Sequence, residues 1–221
     1  MQKFDTPTPI SAVMDIPAGR IRFIATDRTD TTVEIQPADP SRNRDTKAAE
    51  QTTITCTDRT LQITAPQPGN KLPRPTGSLA VTIRLPTGSH IEARTAGAEL
   101  HCEGHLGHIA FDGAHRRIRI DQATSLHLTA TDGDIEVGQL DGPAQISTER
   151  GDIRITEALR GTLVLNTQLG DITVTAAPGT PAHLDAGTAH GRITNTLKND
   201  GTPTLDIHAT TSHGDITARS L

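Results

Sequence analysis

Two histidines stand in matching strings, His190 in "AHGRITN" and His213 in "SHGDITA", and each is followed two residues later by a charge, Arg192 and Asp215. If the strings lie side by side, the imidazoles become neighbours. Groups that titrate near neutrality, with a carboxylate at hand to fix a tautomer, are suited to proton transfer. His115, Asp132 and Arg150 occupy the same place in other strings and form a second polar column. Asp134, Asp152 and Asp171 make a row of carboxylates of the kind that calcium favours. The Gly-Gly-x-Gly-x-Asp signature of calcium solenoids is absent, however. The run "LHCEGHLGHIAFDGAH" gathers His101, His105, His108 and His115 beside Cys102 and Glu103 and has the look of a metal tract. Each set also has a plainer reading. Turn aspartates balanced by arginines form a solvated ladder, and histidines at turns are common on surfaces. No nucleophile triad, phosphate loop or dinucleotide fingerprint is recognisable.

What positions these residues is a repeat. "TDGDIEV", "ERGDIRI", "QLGDITV" and "SHGDITA" share a Gly-Asp-Ile centre, and "AHGRITN" keeps the Gly and Ile with Arg192 in place of Asp. With the central Gly as position zero, the zero positions are Gly133, Gly151, Gly170, Gly191 and Gly214, and degenerate copies place earlier ones at Ala98 and Arg116. Position +2 then reads Leu100, Ile118, Ile135, Ile153, Ile172, Ile193 and Ile216, while position −4 is polar or small throughout. Position +4 is apolar or small except at Asn195. Such alternation is that of strands with one face in a shared core. The spacing is that of a solenoid. Each coil is expected to be strand, tight Gly turn, strand and looser return, with the turn Asp bonding backbone N–H groups. The fold predicted is therefore all-β, a parallel and right-handed β-solenoid of about seven short coils over residues 87–221. Two return loops are longer than the rest, "APGTPAHLD" (Ala177–Asp185) and "KNDGTPTLD" (Lys198–Asp206). Loops that grow on one face of a solenoid are where binding sites are placed.

Residues 1–86 read differently. Strands are expected at 10–16, 20–26, 32–36, 52–56, 61–65 and 79–85, with a short helix near 44–51 and polar connectors "PADPSRNRD" and "PQPGNKLPRP". This segment is read as an antiparallel β cap on one end of the solenoid. At the other end the last coil is expected to stand bare and to offer a homodimerisation edge.

Composition excludes several functions. A net charge of −5 with both signs interspersed argues against nucleic-acid binding. No Trp or Tyr and three Phe leave little for stacking on bases or sugars. No run of apolar residues is long enough for a signal or membrane segment, so a soluble, cytoplasmic protein is expected. Cys56 and Cys102 read as reduced strand residues.

The Gly-Asp-Ile corners, the start "MDIPAGRIRFIATDRTDTTVEIQP" and the crossing "LAVTIRLPTGSHIEARTAGAEL" resemble the bacterial β-strand-repeat family of candidate adhesins, proteins of unknown function. The resemblance implies a β-solenoid and no family-wide catalytic residues. The leading reading is a non-enzymatic scaffold that presents a polar face to a protein or small molecule, or assembles with itself, without a cofactor. The alternatives are a cofactor-independent cyclase, isomerase or lyase of a biosynthetic pathway, using His190 and His213 with Asp215 and Arg192, and a metal-binding module.

Overall fold

A computed structural model of the chain describes residues 1–66 and 77–221. The connector expected at 66–75 lies outside the described residues apart from Pro66. Contacts divide the chain into two compact units, Met1–His115 and Arg116–Leu221.

The first unit holds β1 (Gln2–Asp5), β2 (Ser11–Thr26), β3 (Asp30–Pro37), α1 (Asn43–Gln51), β4 (Thr53–Thr57), β5 (Thr60–Thr64), β6 (Leu79–Pro86) and β7 (His90–His115). Antiparallel pairs join β1 to β3, β3 to β6 and β4 to β5. The parallel register nevertheless begins early. The first half of β2 lies between β5 and β7, and its second half between β6 and β7, all parallel. The strands expected at 10–16 and 20–26 thus fuse into one, with Gly19 at positive φ between the halves. Alternation does the sorting: Ile21, Phe23, Val81, Ile83, Leu100 and Cys102 are buried, and the residues between them face outward. Cys56 is half-buried and Cys102 is buried, and neither forms a disulfide among the described residues.

The second unit holds β8 (Ile118–Asp132), β9 (Ile135–Leu140), β10 (Ala144–Arg150), β11 (Ile153–Ala158), β12 (Gly161–Leu169), β13 (Ile172–Ala176), β14 (Ala182–His190), β15 (Ile193–Thr196), β16 (Leu205–His213) and β17 (Ile216–Ser220). Every strand pairing in this unit is parallel among the described residues. One ladder runs β8, β10, β12, β16, β14, through the second half of β8. The other runs β8, β9, β11, β13, β17, β15, through the first half. Ile118, Ile135, Ile153, Ile172, Ile216 and Ile193 follow one another in register, as a solenoid requires.

That order is not the order of the sequence. The coil formed by β16 and β17 is inserted between the coil of β12 and β13 and the coil of β14 and β15. The coil of β16 and β17 is therefore flanked on both sides, and among the described residues the unpaired edge belongs to β14 and β15. The expected bare end at the final coil is displaced to residues 182–196. The two long return loops supply the reason. Rungs of a sheet lie about 4.8 Å apart and an extended residue spans about 3.4 Å, so skipping a rung and returning costs a few extra residues each way. Those loops provide them, and they are tied together: Pro181 O accepts from Thr204 N–H (3.0 Å) and Leu205 N–H (3.2 Å).

Candidate functional site

The corners of the second unit show why the motif repeats. Gly133 (φ +140°) and Gly151 (φ +131°) adopt backbone that side chains avoid. Space is a second constraint. A Cβ on Gly151 would overlap the carbonyl oxygen of Gly133; Gly170 meets Gly151, Gly214 meets Gly170, and Gly191 meets Gly214 in the same way. The column thus repeats the out-of-order stack.

The aspartates work between rungs. Asp134 Oδ1 accepts the backbone N–H of Asp152 (3.1 Å), Asp152 that of Asp171 (2.8 Å), Asp171 that of Asp215 (2.7 Å), and Asp215 that of Arg192 (2.8 Å). Arg192 belongs to the terminal rung, where no further N–H awaits an acceptor. The single motif that lacks Asp is therefore the outermost one. Asn195, the polar break in the +4 column, lies on the same rung, and Ile193 there is 44% exposed. A buried threonine row escaped the sequence reading: Thr167 and Thr211 Oγ1 donate to the carbonyls of Gly151 (3.1 Å) and Gly170 (3.0 Å). Its signal was present, a Thr three residues before several corner glycines.

His190 and His213 are cross-rung partners, with ring centroids 4.6 Å apart and planes 5° from parallel. Both are exposed, and neither ring has a hydrogen-bond partner among the described residues. Asp215 Oδ1 accepts the backbone N–H of Arg192, and neither of these side chains is hydrogen-bonded to the imidazoles among the described residues. On the strands before the corner, a denser network joins the same two rungs. His183 Nδ1 lies 2.9 Å from Asp206 Oδ1, His208 Nε2 lies 3.2 Å from Asp206 Oδ2, and His208 Nδ1 lies 3.4 Å from Asp185 Oδ2. A neutral imidazole donates from one nitrogen only, so His208 can serve one of these carboxylates at a time unless protonated. The hydrogen bond from His183 does most to hold the Asp206 carboxyl below its usual range. Sequence reasoning missed Asp185 and Asp206 as the partners of His183 and His208.

Arg150 pairs with Asp132 at 3.7 Å in the second unit, and His115 ends the first. In the histidine-rich run, His101 Nδ1 sits 3.6 Å from Glu103 and the backbone N–H of His108 donates to His90 Nδ1 (2.9 Å). Among the described residues no group of three or more His, Cys, Asp or Glu is placed to hold a metal ion. Nor is any described helix long and apolar enough to cross a membrane.

A family model described as Toastrack DUF4097 matches residues 14–220. No curated protein matches the chain. Among solved structures, a candidate adhesin from Bacteroides fragilis is 18% identical with a TM-score of 0.55, covering 98% of this chain and 95% of its own. A candidate cell adhesion protein from Clostridium sporogenes is 11% identical with a TM-score of 0.41, covering 100% of this chain and 98% of its own. The first of these shares the fold.

Proposed function

We propose that this chain, which belongs to the Toastrack DUF4097 family, is a non-enzymatic binding scaffold whose second unit presents a fixed polar surface on its two outermost rungs. The observation that carries this reading is the cross-rung network of His183, Asp206, His208 and Asp185, continued at the corner by the stacked His190 and His213. Strand register sets these groups in place before any partner arrives, so little ordering entropy is lost on binding. The enzyme reading draws less support. Its proton-transfer pair is exposed, and the carboxylate assigned to orient it serves the backbone instead.

The test is a panel of immobilised peptides and polysaccharides probed with the wild-type protein and with a His183→Ala/His208→Ala variant. Exposed pairs of this kind contribute only tenths of a kcal/mol, so the variant should keep its thermal midpoint. Binding to at least one panel member that is lost in the variant is the expected result. A wild type that binds nothing, or a variant that binds equally well, overturns the proposal.

A further inference from the structure

The first unit carries a groove of about 340 Å³ on the outer face of β6, β2 and β7. Its shape follows from side-chain length. The outward residues of β6 that line the groove are short, Ala80 and Thr82, whereas their register partners on β2 are Arg20 and Arg22 and the next strand brings Glu99 and His101. A shallow floor is thus walled by long polar side chains.

The two guanidiniums are in different states. Arg22 is oriented: its Nε donates to Glu103 Oε1 at 2.6 Å, and His101 Nδ1 stands 3.6 Å from the same oxygen. That leaves the terminal nitrogens of Arg22 without a partner among the described residues. Arg20, two residues away on the same face, forms no ion pair with any described residue, although Glu99 is its register partner on β7. The groove therefore offers adjacent cationic donors, a hydroxyl at Thr82 and a carboxylate acceptor at Glu99. A bare phosphate or sulfate would satisfy the arginines but meet repulsion from Glu99. A ligand with a carboxylate at one side and hydroxyl donors at the other would use all of them, since guanidinium and carboxylate pair through matched forks. The volume suits one or two sugar rings, at the low end of the range for small-molecule sites.

The geometry points to a site for a uronic acid, whose carboxylate bridges Arg20 and Arg22 while its hydroxyls donate to Glu99. The sugar can be free or a unit of an acidic polysaccharide. Calorimetric titration of the full chain with galacturonic acid, with an oligogalacturonide of the same sugar and with glucose tests it. Binding of either acid with none of glucose supports the site, and which acid binds tells the free sugar from the polymer. Arg20→Gln removes a side chain without a structural partner and should weaken binding about tenfold or more, as loss of a charge-assisted contact does. Ala80→Glu fills the floor with a negative charge and should abolish binding. Equal binding of glucose, no binding of either acid, or an unaltered affinity in both variants overturns the assignment.

Discussion

At a corner glycine two demands meet, positive φ and the absence of a Cβ, and substitution tests them together. Gly151→Ala places a methyl against the carbonyl of Gly133 in backbone that alanine resists. We expect a loss of roughly 2–4 kcal/mol, read from the urea midpoint at unchanged slope. Gly187→Ala is the control, because a Cβ there meets nothing within 4 Å. Its effect should stay within about 0.5 kcal/mol. Equal costs at the two positions would remove the steric account of the motif. At the same scale, the corner aspartates are better understood as acceptors for the neighbouring rung than as a calcium row, since each commits an oxygen to a backbone N–H.

Among the elements, the terminal rung is the informative one. β14 and β15 are paired on one side only, and all of β15 is exposed. Their amides should therefore exchange with deuterium sooner than those of β16 and β17, although the latter lie nearer the chain end. Faster exchange in residues 205–220 would mean that the coils stack in sequence order. This was the part of the fold that pattern reading did not reach. Period-two alternation and corner glycines placed Ile135, Ile153 and Ile172 in one row, because burial on one face leaves its mark on each strand locally. Which coil sits on which is decided by contacts between distant segments, and coils with similar interiors compete for the same seat. A trace was nonetheless written in the chain. Arg192 and Asn195 break the pattern where no rung follows, and the lengthened loops mark the crossing. The His190–His213 pairing was legible because both stacking orders make those coils neighbours. The partnership of His183 with Asp206 was not, since it depends on the register of polar outer positions, which no core pattern constrains.

For the whole molecule, composition already set the terms of function. With scarce aromatics and interspersed charge, the recognition proposed for each unit would rest on hydrogen bonds and ion pairs held in place by strands. The inserted coil also imposes a timetable. During synthesis residues 182–196 leave the ribosome before the segment they must rest on has been made, while the vacant edge of β12 and β13 stands open to them. Asn195 makes this early arrival the poorer occupant, for it would bury an amide where Ala218 belongs. The later coil can then claim the seat, and the earlier one closes over it. In refolding experiments quenched at intervals, Leu205–His213 should acquire protection ahead of Ala182–His190; the reverse order would show that the earlier segment docks first and that Asn195 does not keep it from the seat.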